Sequence, residues 1–338
     1  MSHQLAQCVW VVAVACGPIQ VVDDAPPAAV VATAVAASVC ARAEPYAQAG
    51  LRQDVAYLAA PERAGRVPGT AGDLAAREFL AARFACLGLV DIGAQAGYHQ
   101  PFVDDEDNAT GNVIGIVPGS DPSLAADLVI VSAHIDHLGD GKLGANDDAS
   151  GVAALLAAAA ACKTQATPPR RTLVFAVFGA EESGFEGSAY FMAHPPAGMA
   201  TARMVYNLNL DMVGSYAQAH TVEALGTFAG TPGRAAVVAY ATAHPELDVT
   251  LGNDSDQSDH ATFCSRGIPY VFLWTEDQAC YHKACDTADR LDYAGLAQLA
   301  GLTGAIAWDL ANTVADLRAA VRPGRAVCLA AEAKRRRE

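Results

Sequence analysis

The sequence predicts an α/β domain built on a mixed, largely parallel β-sheet with helices on both faces. Three observations carry that prediction. Apolar runs such as LVIVSA at 128–133 and TLVFAVF at 172–178 have strand length and lack the alternation of a sheet with one wet face. Longer helical stretches separate them, among them the alanine-rich ASGVAALLAAAAAC at 149–162. With 52% hydrophobic residues and only 17% charged, the chain has apolar material for a sheet covered on both sides, which excludes a disordered polymer.

The elements follow in order. Residues 51–59 and 69–87 read as helices, the second placing Leu74, Phe79, Leu80, Phe84 and Leu87 on one side. NVIGIV at 112–117 is a strand, followed by the strand at 128–133, the helix at 149–162 and the strand at 172–178. A short helix is expected over 187–194, a strand over 205–210, a helix over 233–244, a strand over 269–274 and a long helix over 291–314. Gly and Pro follow no regular period, so a fibrous or repetitive architecture is excluded.

The beginning of the chain reads differently. The short apolar run VWVVAVA at 9–15 ends at Cys16-Gly17-Pro18, which resembles a lipoprotein-type export signal over 1–18. A buried strand is the alternative. Residues 19–48, rich in Ala, Val and Pro, read as a linker, 49–320 as the functional domain and 321–338 as a C-terminal tail. The expected location is therefore exported, periplasmic or attached to the cell envelope, with cytoplasmic as the alternative. Membrane attachment is expected only through a lipidated Cys16, because no run of about 18 clean apolar residues occurs.

Charge and cysteine usage narrow the partners. Twenty-two Lys and Arg against 37 Asp and Glu leave a formal charge of −15, which repels nucleic acid and suits cations or amine-bearing substrates. Nine cysteines are present without a CxxC pair, so a thiolate zinc site is not supported.

The polar residues gather at one place. His134, Asp136 and His137 follow the strand at 128–133, and Asn146, Asp147 and Asp148 precede the next helix. Glu181 and Glu182 follow the strand at 172–178, Asp211 the strand at 205–210, and Tyr281 and His282 the strand at 269–274. The carboxyl ends of strands line the ligand crevice of open α/β sheets, so five loops deliver His and carboxylate groups to one edge. Each alone could be a turn former, a helix cap or a solvated corner; Asp147 or Asp148 could cap the helix at 149. Together they would repel one another unless cations sat among them, and oxygen and imidazole donors suit zinc or a similar divalent ion. Gly139, Gly141 and Gly144 fit GxGxxG, but no acidic residue follows at the required distance, so they read as a flexible approach to the metal loop. A GxSxG serine elbow is absent.

The strings SAHIDHLG, GANDDASGVAALL, FGAEESGFEGSAYF, NLNLDMVG and YHKACDT resemble, in order and spacing, the di-zinc exopeptidase family of the bacterial leucyl aminopeptidases, glutamate carboxypeptidase and glutaminyl cyclase. The stretch at 51–89 is similar to that family's N-terminal helices. The resemblance implies two zinc ions: His134 and Asp211 would hold one, Glu182 and His282 the other, and Asp147 would bridge them. Glu181 would be the general base, Asp136 would brace His134, and Tyr281 would stabilise the oxyanion, a packed aromatic being its alternative. It implies a zinc-dependent aminopeptidase acting on peptide substrates, with a carboxypeptidase, a glutaminyl cyclase or a non-catalytic binding relative as alternatives. Cys280 and Cys285 flank His282 and could pair. His137 and His260, near the metal loops, are expected to serve structural hydrogen bonds.

Overall fold

A computed structural model describes residues 46–93, 96–253 and 257–317. The expected export signal with Cys16, the C-terminal tail and almost all of the linker lie outside these residues. Among the described residues there are eight strands: β1 (His99–Val103), β2 (Ala109–Val117), β3 (Leu128–His134), β4 (Thr172–Phe178), β5 (Met204–Leu210), β6 (Val222–Leu225), β7 (Val249–Leu251) and β8 (Tyr270–Trp274). They form one sheet in the order β1-β2-β4-β3-β5-β8-β6-β7. The central four, β4, β3, β5 and β8, run parallel, and β2 and β6 flank them antiparallel. The mixed α/β class expected from the sequence is the class observed.

The central strands are buried on both faces, and successive residues divide between two apolar layers as the strand period of two requires. Val129, Val131 and Ala133 of β3 and Leu173, Phe175 and Val177 of β4 enter the larger layer. That layer is covered by α1 (Gln48–Leu58), α2 (Ala71–Cys86) and α3 (Ala149–Lys163), then, beyond the short α4 (Glu186–Ala193) and α5 (Tyr216–Ala219), by α6 (Pro232–Ala243). Behind α7 (His260–Ser265) in sequence, α8 (Tyr293–Asn312) completes it. Leu128, Ile130, Val174, Ala176 and Phe178 face the other way, against Phe191 and Met192 of α4 and Phe263 of α7.

Local signals place the helix ends. Thr70 accepts a hydrogen bond from the Asp73 amide to cap α2, and Asp292 accepts one from Ala294 to start α8 two residues later than expected. In α3 almost every residue is buried, which its alanines permit by leaving room for neighbouring helices. One core expectation is corrected: Leu74 is 50% exposed. At about 100° per residue, five positions set it about 140° from Phe79, on the solvent side of α2. Three strands escaped the sequence reading. β1 carries Pro101 on an outer strand, and β6 and β7 are four and three residues long, too short for a periodic signal.

Candidate metal centre

The four parallel strands bring their carboxyl ends to one edge of the sheet, and each supplies part of the centre. His134 is the last residue of β3, Glu181 and Glu182 follow β4, Asp211 follows β5, and Tyr281 and His282 lie in the connection after β8. Asp147 arrives from the loop before α3, where it is the neighbour Asp148 that caps the helix, accepting from the Gly151 amide. The second carboxylate oxygen of Asp148 accepts from the His134 amide, tying the end of β3 to the start of α3.

Two groups of donor atoms converge. In the first, His134 Nε2 lies 3.1 Å from Asp147 Oδ1 and 3.5 Å from Asp211 Oδ1. In the second, His282 Nε2 lies 3.1 Å from Asp147 Oδ2 and 3.2 Å from Glu182 Oε2. Asp147 thus turns one oxygen to each group. His134, Asp147 and Asp211 have donor atoms within 4.8 Å of one another, as do His137, Asp147 and Glu182. Asp147 Oδ2 is buried and accepts no hydrogen bond among the described residues. A buried, orphaned carboxylate oxygen facing imidazole and carboxylate donors fits a divalent cation of the zinc type.

The surrounding residues fix these atoms. Asp136 lies 3.7 Å from His134 Nδ1, beyond hydrogen-bond reach, while its two oxygens accept from the Glu181 and Glu182 amides at 2.9 and 3.2 Å. It therefore joins the β4 loop to the end of β3. His137 Nδ1 lies 2.7 Å from Glu182 Oε1, leaving Oε2 beside His282. Asp286 accepts from the amides of Asn146 and Asp147, orienting the backbone beneath the shared carboxylate. Cys280 and Cys285 form a disulfide around His282, which has a left-handed φ of 56°. The Tyr281 ring stacks on His282 with centroids 3.8 Å apart.

Arg66 is the least expected contributor. Only 1% exposed, it donates to the carbonyls of Leu58, Ile135, Leu143 and Gly144, gathering the loop between β3 and α3 around one guanidinium. Gly144 adopts φ +63°, and a Cβ there would come within 2.3 Å of the Asp147 carbonyl and 2.8 Å of the Arg66 guanidinium. The sequence reading of a flexible glycine approach is therefore corrected at Gly144, which is packed in place.

The electrostatics reflect crowded charge. Burial drives Glu181 well above the usual carboxyl range, aided by Asp211, Asp259 and Asp136 and opposed by His134. Burial also pushes the enclosed Asp259 up to about 7. Burial alone would lower His134, but Glu181 and Asp211 override it and raise it. The adjacent Asp147 and Glu182 carboxylates lift His282 to about 10. Burial and the nearby carboxylates raise the Tyr281 phenol above its ordinary value.

A cavity of about 560 Å³ opens over the centre, with Glu181, Glu182, Asp211 and Tyr281 on its polar side. Phe185, Met212, Phe272 and Trp274 form its apolar wall. All eight residues singled out in the sequence thus lie in one neighbourhood. Arg66, Asp259 and Asp286 were given no role there, although Asp286 stands within the YHKACDT string, while Asp148 fills the helix-cap role the sequence offered it.

Comparison with known proteins adds a family. The model of peptidase family M28 matches residues 112–307, which contain every candidate ligand. Leupeptin-inactivating enzyme 1 of Streptomyces exfoliatus is 30% identical over 281 residues, covering 75% of this chain and 59% of that protein. Aminopeptidase YwaD of Bacillus subtilis is 30% identical over 195 residues, covering 54% of this chain and 41% of its own length. The chain spans about half the length of these curated relatives. Among solved structures, a zinc aminopeptidase from Bacillus subtilis shares the fold with a TM-score of 0.66 at 17% identity, covering 82% of this chain and 98% of that one.

Proposed function

From the premise that the chain belongs to peptidase family M28, we propose that it is a zinc-dependent exopeptidase, specifically an aminopeptidase that removes N-terminal residues from peptides. The observation that carries this reading is Asp147, whose two carboxylate oxygens face two separate groups of imidazole and carboxylate donors. His134 and Asp211 would hold one zinc, Glu182 and His282 the other, and Asp147 would serve both. Bound zinc supplies Lewis-acid polarisation of the scissile carbonyl.

The remaining steps belong to the chain. Glu181, its carboxyl raised by burial and facing the cavity, accepts the proton of the attacking water and returns it to the leaving amine. Tyr281 lines the same cavity, and its hydroxyl would donate to the developing oxyanion. The carboxylates around the cavity favour a substrate bearing a free ammonium group, which a carboxypeptidase would not need there. Export through the Cys16 segment is part of the proposal and accords with the Cys280–Cys285 disulfide, since such bonds persist in oxidising compartments.

The test uses the purified chain, elemental analysis and paired substrates. Close to two zinc equivalents, chelator-sensitive cleavage of aminoacyl-nitroanilides and resistance of N-acetylated peptides are expected. Cleavage of acetylated peptides from the C-terminal end would replace the aminopeptidase by a carboxypeptidase. Activity untouched by chelation, in protein devoid of divalent metal, would refute the zinc reading.

A further inference from the structure

The loop that carries Glu181 and Glu182 is bent in a way its own residues do not favour. Between the end of β4 and the start of α4 the segment GAEESGFEG, residues 179–187, reverses the chain. Ala180 and Phe185 both take left-handed φ values there, 55° and 64°. Side chains crowd their own backbone in that region, so such residues persist only where the surroundings impose them. Within the loop the Gly184 and Phe185 amides donate to the Glu181 carbonyl at 2.8 Å, and the Glu186 amide donates to the Ala180 carbonyl at 3.0 Å. Asp136 ties the loop to the end of β3 through the Glu181 and Glu182 amides. A single tie leaves a turn free to pivot.

The second tie is Asn112 of β2. Val113 enters the larger apolar layer, so Asn112 lies on the opposite face with Ile114, and it is 0% exposed. Its Oδ1 accepts from the Gly179 amide at 3.0 Å. Its Nδ2 donates to the Gly187 carbonyl and to Gln100 Oε1, each at 2.9 Å. The Gly179 N–H can only donate and the Gly187 carbonyl only accept, so these backbone groups decide which end of the amide faces which. One side chain from a neighbouring strand thus spans both ends of the loop. A Cβ on Gly187 would collide with the Gly179 carbonyl and with Asn112 Oδ1, so glycine is required where the ends close.

We propose that Asn112 is a positioning residue for the reaction: by clasping Gly179 to Gly187 it holds the strained turn shut and sets Glu181 toward the cavity and Glu182 toward His282. This inference rests on the reading of Glu181 as the proton acceptor and Glu182 as a zinc ligand. An amide suits the task because it is neutral, accepts and donates at once, and is buried here with no polar group left over. Without it the Gly179 N–H and the Gly187 carbonyl lose their shared partner. The left-handed residues then relax toward ordinary backbone and carry both carboxylates with them.

The experiment compares two loop variants with one control. Asn112→Leu keeps the volume and removes all three hydrogen bonds; Gly187→Ala forces the clasp apart without altering a polar group. Phe79→Ala, in the other apolar layer, is the control. Amide exchange over residues 180–186 is measured in metal-free protein, zinc affinity by competition with a chromophoric chelator, and kcat and KM on an aminoacyl-nitroanilide at saturating zinc. Both loop variants should exchange 180–186 about tenfold faster relative to β3 and β5. They should hold one of the two zinc ions about 10–100-fold more weakly. They should also lose about 10–100-fold in kcat with KM within about twofold of wild type. Phe79→Ala should lower the melting temperature with kcat unchanged. If Asn112→Leu does not fold, Gly187→Ala decides by the same readouts. Loop variants that melt earlier, as the control does, while kcat and both zinc affinities stay at wild-type values would show a merely structural asparagine and overturn the proposal. Loop exchange at the wild-type rate overturns it as well. Wild-type protein that binds no zinc and cleaves no nitroanilide would instead refute the reading of the two glutamates on which the proposal rests, which keeps the two failures distinct.

Discussion

Replacing Arg66 by Met removes a cation that four carbonyls share while keeping the side chain's length and its Cβ. Leu58, Ile135, Leu143 and Gly144 would each lose a charge-assisted hydrogen bond in a site that is 1% exposed. The Gly144 carbonyl keeps the Ala149 amide, and an unpaired buried acceptor costs about 1–3 kcal/mol, so the other three amount to about 3–9 kcal/mol before any relaxation. Release of the guanidinium from its own desolvation recovers several of these, leaving about 3–5 kcal/mol, the range for breaking a buried charged contact. At about 2–4 °C per kcal/mol for a sizeable domain, the melting temperature should fall by about 6–20 °C. Arg66→Lys should fall between, because three ammonium hydrogens cannot reach four carbonyls spread around a planar fork. The loop released by the change leads into Asn146 and Asp147, so zinc affinity should drop with stability. Thermal melting of metal-free protein and zinc competition on the same samples measure both. If Arg66→Met melts within about 2 °C of wild type and binds zinc equally well, the four carbonyls do not depend on the guanidinium, and the reasoning fails.

The other expectations concern the site and the core. Glu181→Gln should lower kcat by about 10²–10⁴ while retaining zinc, since it removes a proton acceptor and not a ligand; Glu182→Gln should lose zinc first, and the reverse pattern in metal analysis would exchange their roles. Asp147→Asn should retain less zinc than either, because both donor groups use that carboxylate. Chelation should lower the melting temperature by about 8–16 °C if zinc is held at a thousandfold excess over its dissociation constant, worth about 4 kcal/mol; identical melting with and without zinc would contradict a folded-state metal site. Phe79→Ala should destabilise the protein by about 3–5 kcal/mol, whereas exposed Leu74→Ser should change it by less than about 0.5 kcal/mol in urea unfolding, and comparable losses would contradict the burial assigned to α2.

What the sequence disclosed followed from local signals. The parallel strands were visible because strands buried on both faces read as unbroken apolar runs, and their ends showed where His134, Glu181 and Asp211 must lie. Leu74 was misplaced because an alanine-rich helix offers weak contrast between its faces, so the large side chains drew the line wrongly. The ligands were legible as residue types in loops, but their supports were not. Arg66 acts through carbonyls of residues up to 78 positions away, a relation without any sequence period. Asp286 binds backbone amides 139 and 140 residues distant, and Ser132 of β3 meets Asn207 and Asn209 of β5 only once the sheet is folded. Asn207 and Asn209 carried no signal of their own, because their hydrogen-bond partners Ser132 and Ser258 come from other segments.

The sheet order also decides which parts of the molecule can open without consequence. β1 and β7 lie at the two outer edges, and one antiparallel-paired strand separates each from the parallel four, β2 on one side and β6 on the other. Strand ends and edges open at the low end of the local-unfolding scale, while central strands open only near the global limit. Transient fraying, a protease cut or a pairing accident at β1 or β7 therefore breaks ladders that carry none of the candidate ligands. Amide exchange should grade inward accordingly, fastest at β7 and β1 and slowest at β3 and β5, so that the protein can lose an edge for a moment and keep its reactive groups in register.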